Sequence, residues 1–195
     1  MTEWALAQVP LWGLWFVAGA TFLSCLALPV PSSLVMLAAG GFAAAGDLVL
    51  WQVAAAAFVG AVAGDHAGFG LGRAVGAPLL ARLGRAPARA AAIARASRAL
   101  AGRAAPTVFL SRWLVSPLGP YVNLAGGAAG LPLSRFTPAE LAGEAVWVAL
   151  YTGLGYAFAD RIVALGAVLG NASGALAAGA VALGLGLRLL ARLRA

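Results

Sequence analysis

The chain offers few residues for chemistry. Its 195 residues include six acids, thirteen arginines, one histidine, one cysteine and no lysine. Asp65, Arg112 and Glu144 interrupt strongly apolar runs. An ionisable side chain among apolar neighbours is costly, which makes each a functional candidate. Asp65 can hold a proton or a cation, and the adjacent His66 can relay a proton. Alternatively, Asp65 pairs with an arginine and only fixes packing. Glu140, Glu144, Trp147 and Tyr151 follow i, i+4, i+7, i+11, a single helical stripe. Two carboxyls and two amphipathic aromatics on one face should point into a helix bundle or a wet cavity. Glu144 lies deeper, while Glu140 is close to the boundary. Arg112 is always charged and must find a carboxylate, an anionic ligand or backbone carbonyls. Beside a broken helix it suits a phosphate. An ion pair with Asp65 or Glu144 is the other outcome, and the two can alternate between empty and loaded states.

Other chemistry is not evident. There is no Walker loop, no His/Cys zinc cluster and no Ser-His-Asp arrangement. The single Cys25 excludes an intramolecular disulfide and a zinc site built from cysteines, and reads as a small buried apolar residue. Gly68 to Gly72 is glycine-rich but lies inside an apolar run, so it is not a dinucleotide loop. No catalytic residue, cofactor or metal is expected, and the chain does not read as an enzyme.

The elements that position these residues follow from composition. The chain is 63% hydrophobic and only 10% charged, against about a quarter charged in soluble domains. This excludes an ordinary soluble globule and predicts a single polytopic, all-α membrane domain over 1–195. Four apolar runs are long enough to span: Leu6 to Cys25, Leu48 to Gly72, Thr137 to Phe158 and Ile162 to Leu187. Two others are broken, Leu26 to Gly46 by Pro29 and Pro31, and Pro106 to Leu133 by Pro117 and Pro120. Proline removes a donor and disrupts the preceding turn. Such breaks persist at membrane depth only where protein or a wet cavity shelters the backbone. The pattern predicts about four transmembrane helices plus two opposed re-entrant hairpins, with kinked spans as the alternative.

The net charge of +7 would suggest nucleic acid in a soluble protein. Here it orients the chain, and no nucleic-acid partner is expected. Seven arginines from Arg73 to Arg103, without an acid, mark 73–105 as a cytoplasmic loop, partly helical from Ala88 to Arg103 and lying on the membrane surface. Arg188, Arg192 and Arg194 place the tail inside. Four spans then put both termini in the cytoplasm, with Asp47 and the Asp160–Arg161 pair outside. No cleaved signal peptide is read at the N-terminus. Gly60, Gly64, Gly68, Gly72 and Gly76 form one small face beside Asp65, suited to close helix packing. A weak repeat, Ala39-Gly40-Gly41 with Ala125-Gly126-Gly127 and Gly68-Phe69 with Gly155-Tyr156, has offsets of 86 and 87 residues. With opposed hairpins the copies are inverted, an architecture common among transporters.

Four stretches resemble the DedA family, also called the VTT-domain or SNARE-associated Golgi protein family. They are Phe22-Leu23 through Pro29-Val30-Pro31-Ser32-Ser33 to Ala39-Gly40, and Gly64-Asp65 through Phe69 to Gly72-Arg73 and Gly76. Phe109-Leu110-Ser111-Arg112-Trp113 leading to Ala125-Gly126 is the third. Phe136, Gly143 through Trp147 and Gly155-Tyr156 complete the set, which spans about 20–160. The resemblance implies re-entrant hairpins and movement of a phosphate-bearing lipid, such as undecaprenyl phosphate or a phospholipid, between leaflets of a bacterial inner membrane, with proton coupling in some members. It matches Asp65 to the family's acid, Arg73 to its Gly-Arg and Arg112 to its first hairpin arginine. The chain departs from the pattern at Ser24 and Ser33, where acids are usual, at Leu118, near a usual second arginine, and at Glu144, where a small residue is usual. Glu144 is therefore a candidate replacement for a lost hairpin carboxylate. The expected partners are membrane lipids, homo-oligomerisation is left open, and a non-transporting scaffold or assembly factor is the alternative function.

Overall fold

A computed structural model describes residues 2–159, which form seven α-helices and one 3-10 turn, with no strand among the described residues. All seven helices belong to one unit that ends at Ala157. The expected fourth span, Asp160, Arg161 and the tail arginines lie outside the described residues.

Helix α1 (Thr2–Cys25) stops where Ala27 takes a positive φ of 63° and Pro29 and Pro31 follow. Neither proline can donate a helical hydrogen bond. Helix α2 (Ser32–Ala45) closes on Gly46, whose φ of 89° suits a residue without Cβ; its N–H bonds the Ala43 carbonyl. Helix α3 (Leu50–Leu83) is broken at Gly76, with φ 53° and ψ −134°. Up to that break, Leu50–Gly76 is the one described helix long and apolar enough to cross a membrane. Helices α4 (Pro87–Gly102), α5 (Ala104–Trp113), α6 (Gly119–Ala128) and α7 (Leu133–Ala157) follow, with the 3-10 turn Ser116–Leu118 between α5 and α6.

Close glycine contacts give the directions of the helices. Gly13 faces Leu48, Gly60 faces Ala18 and Thr21, and Gly64 faces Phe22 and Cys25. The numbers rise together, so α1 and α3 are parallel. By Leu48 the chain has therefore returned beside Gly13. The segment from Gly13 to Cys25 runs out, α2 runs back, and residues 26–31 are the tip. That tip is level with Gly64, near the middle of Leu50–Gly76. This corrects the sequence expectation that Leu6 to Cys25 is a span separate from the hairpin: its second half is the hairpin's outgoing arm. Twenty apolar residues meet the length for a span, but the proline pair turns the chain back partway.

The second hairpin, α5 and α6, has arms of ten residues each, about 15 Å long. Asn123 faces Gly68, Leu124 faces Gly72, and Gly127 faces Phe69 and Arg73, so α6 is parallel to α3 and its base lies at the Arg73 end. The base of the first hairpin lies at the Leu50 end. The two hairpins therefore run in opposed directions. Helix α7 is antiparallel to α3, with Phe136 stacked on Phe69 at 4.4 Å and Thr137 beside His66.

The repeat has a packing meaning. The returning arm of each hairpin lies on the long helix of the other copy. Gly40 abuts the α7 backbone at Thr152 and Tyr156, and Gly127 abuts the α3 backbone at Phe69 and Arg73. These two glycines belong to the repeated Ala-Gly-Gly triplets.

The Arg-rich segment contains the helix expected from Ala88 to Arg103, shifted by one residue at each end. Most of 73–105 is helical, because α3 continues to Leu83 and α4 begins at Pro87. Helix α4 packs on α6 and α5. Ala96 is fully buried with Leu100 against it, and the Thr107 hydroxyl donates to the Ala99 carbonyl at 3.0 Å. Small residues make this inward face, while Arg82, Arg85, Arg89, Arg95, Arg98 and Arg103 stay exposed.

Candidate functional site

Between the two hairpin tips lies a cavity of about 440 Å³. Pro29 from the first break and Pro117 and Pro120 from the second line it, whereas Pro31 lies at the start of α2, outside the lining. The breaks free short backbone segments from helical geometry, and α3 and α7 bring long side chains to the same level. Asp65 comes from α3, Arg112 from the last turn of α5 and Glu144 from the middle of α7. All three are buried and all three line the cavity.

Arg112 Nη1 donates to Asp65 Oδ1 at 3.0 Å, and Nη2 donates to Asn123 Oδ1 at 2.6 Å. Asn123 Nδ2 donates to the same Asp65 oxygen at 2.6 Å. Arg112 Nε lies 3.7 Å from Glu144 Oε1. The ring Asp65–Arg112–Asn123 is closed, and the amide orientation follows because Asn123 must accept from one partner and donate to the other. Gly143 makes room for it: a Cβ there would meet the Arg112 side chain and the Phe109 carbonyl. One side of the network remains unsatisfied. Asp65 Oδ2, Glu144 Oε2 and Arg112 Nε have no hydrogen-bond partner.

Each sequence candidate now has a place. Glu140 was expected near a solvated boundary, but it is fully buried with neither oxygen hydrogen-bonded. The antiparallel packing of α7 on α3 covers it, and His66 Nδ1 is 3.9 Å away. The stripe Glu140, Glu144, Trp147 and Tyr151 does face inward, with Trp147 and Tyr151 in contact edge to face. His66 is apart from the cavity on a shallow groove with Phe58, Val59 and Val62. Its Nδ1 is 3.0 Å from the Val62 carbonyl and its Nε2 3.1 Å from Thr137 Oγ1. Arg73 is exposed, with its guanidinium 5.6 Å from the Phe69 ring centre. It does not join the site, because α3 carries it to the base of the second hairpin, two turns beyond Asp65. Ser24 lines the cavity, Ser33 does not, and Leu118 packs in the apolar cluster around Phe136.

Asn123 of the hydrogen-bonded ring and the wall residues Cys25 and Arg89 were not singled out as site residues from sequence. Asn123 is the one amide within 106–133, and that singularity was its only signal. Cys25 ends α1 at the tip. Arg89, on the first turn of α4, reaches the cavity wall while remaining exposed.

The match to known proteins falls on this part of the chain. The VTT domain model covers residues 29–157, from the first hairpin break to the end of α7. The chain belongs to the VTT-domain (DedA) family. A Synechocystis relative named as an uncharacterized membrane protein is 34% identical over 71% of this chain, and the match spans 63% of that relative, less than two thirds of its length. Relatives in Mycobacterium bovis and Mycobacterium tuberculosis, also named as uncharacterized membrane proteins, are 31% identical over 79% of the chain and 73% of their own length. No solved structure matches the chain significantly. Membership of a family of membrane proteins agrees with the outward residues. Trp12, Trp15, Phe16, Trp51 and Val59 are each more than 60% exposed, a surface that water would penalise and lipid would not.

Asn123 gives a test of the network within the VTT fold. Asn123→Ala leaves Asp65 and Arg112 each one hydrogen bond short in a buried place. Thermal unfolding in detergent is expected to show a loss of about 1–3 kcal/mol, and wild-type stability would mean the ring carries no weight.

Proposed function

We propose that this chain is a multi-pass protein of the bacterial inner membrane that moves a phosphate-bearing lipid between leaflets, without catalysing a covalent step. The observation that carries this reading is the cavity between two opposed hairpin tips, with a buried guanidinium on its wall. A phosphate entering there competes with Asp65 for Arg112. The phosphate offers the planar fork a second acceptor geometry, and Arg89 adds positive charge at the wall. Once Asp65 loses Arg112, it and Glu144 are two carboxyls facing each other. A proton taken up at that pair would couple lipid movement to the proton gradient. The lipid is an undecaprenyl phosphate or a phospholipid, and its tails would leave through the apolar flanks.

Two further observations support an orientation. Trp12, Trp15 and Trp51 gather at the base of the first hairpin, as aromatic residues do at a membrane interface. The exposed arginines gather with the second hairpin, which is then cytoplasmic. Residues before Gly13 therefore lie on the external side with Asp47, which differs from the expectation of a cytoplasmic N-terminus. A reporter fused to the N-terminus is expected to be active only outside the cytoplasm, and activity inside would reverse this topology.

The direct test reconstitutes the protein in vesicles with defined lipid phosphates and follows headgroup movement. Transport of at least one anionic lipid is expected. Failure with every lipid phosphate would leave a non-transporting scaffold as the better description.

A further inference from the structure

We propose that Cys25, Asp65 and Glu144 form a binding site for a divalent cation of the zinc class. Cys25 Sγ and one oxygen from each carboxyl all lie within 4.8 Å of one another. The three residues come from three elements: the tip of the first hairpin, α3 and α7. Their exposures are 7%, 0% and 2%, and all three line the cavity.

The second observation is which atoms are left free. Arg112 takes Asp65 Oδ1 and approaches Glu144 Oε1. Asp65 Oδ2 and Glu144 Oε2 are buried and have no partner. A buried carboxylate oxygen without a donor is costly, and it calls for a proton or a cation. Charge counting favours a divalent ion. Two carboxylates and a thiolate supply three negative charges, and Arg112 supplies one positive. A doubly charged cation leaves the set neutral. Glu140 stays outside it, beside His66.

The donor set selects the metal. One thiolate and two carboxylates suit zinc, cadmium or cobalt, whereas magnesium and calcium favour all-oxygen sites. Metal–sulfur bonds of about 2.3 Å and metal–oxygen bonds of about 2.1 Å require ligands roughly 3.5 Å apart. The donors must therefore close in by roughly 1 Å, which side-chain rotation beside a non-helical tip permits. Three protein ligands leave a fourth position toward the cavity. No single helix supplies two of these ligands, so the sequence spacing of 25, 65 and 144 gives no metal motif.

The site shares Asp65 and Glu144 with the proposed transport cavity, but its test uses no lipid substrate, so its failure and a failure of lipid transport are distinguishable. The full chain in detergent micelles is titrated with Co²⁺. One Co²⁺ per chain is expected, with a thiolate-to-cobalt charge-transfer band that Zn²⁺ displaces and Mg²⁺ does not. Cys25→Ser should remove the band, and Glu144→Gln should weaken Co²⁺ binding at least about tenfold. Absence of the band in wild type overturns the site, as does a band that survives Cys25→Ser or wild-type affinity in Glu144→Gln. If either variant fails to elute as wild type, alkylation of the native protein decides. Zn²⁺ should slow modification of its single cysteine at least about tenfold, and equal rates with and without Zn²⁺ overturn the proposal.

Discussion

Arg112→Ala is expected to abolish headgroup movement and to lower stability by about 3–5 kcal/mol, the cost of removing one partner from a buried ion pair. Arg112 is the one buried arginine of the described residues, set among three buried carboxyls. Without it, Asp65 keeps only the Asn123 amide, and Glu144 loses its one nearby positive charge. Arg112→Lys separates the two roles. An ammonium keeps the charge, but it lacks the planar fork that reaches Asp65 and Asn123 together. The lysine variant is expected to recover much of the stability and little of the transport. Unfolding in detergent and vesicle transport measure the two effects. Wild-type stability in Arg112→Ala would show that the carboxyls need no countercharge.

Gly127→Val is expected to have the second large effect, through backbone contact alone. A Cβ at Gly127 would collide with the Phe69 carbonyl oxygen and approach the Arg73 nitrogen. Both are backbone atoms of α3, so no rotamer change relieves the clash. Separation of α6 from α3 would also pull Asn123 away from Asp65. Loss of about 3 kcal/mol or more is expected, at the upper end for overpacked sites. The control is Gly153→Ala, where nothing lies within 4 Å. There a gain of about 0.5–1 kcal/mol is expected from helix propensity. Equal behaviour of the two variants in thermal unfolding would refute the close-packing account.

Much of the site was legible because its signals are local. The α7 stripe follows from helical period, and both tips follow from proline pairs. Asp65, Arg112 and Glu144 stand out because charge is rare in apolar runs. What escaped was long-range. Leu6 to Cys25 has the length of a span, and only contact with Gly60 and Gly64 shows that it stops midway. Arg73 and Arg112 look alike as isolated charges, and packing alone sends one outside and the other into the network. Asn123 carries no charge, so a search for ionisable groups passes over the residue that joins the pair. The arginines of α4 advertise an exposed face, while the buried Ala96 on the opposite face is too common a residue here to mark a contact.

The two hairpins meet tip to tip, yet their matching positions differ. At the repeat offset of 87 residues, Arg112 corresponds to Cys25, and Asp65 corresponds to Thr152. A molecule made of two identical inverted copies would be indifferent to which way its cargo travelled. Here one copy contributes the guanidinium and the other the thiol, so the centre has a chemical polarity that the scaffold lacks. On the proposed transport function, unequal pairs of this kind bias the direction of movement, and exchanging identities in Cys25→Arg with Arg112→Cys tests that bias.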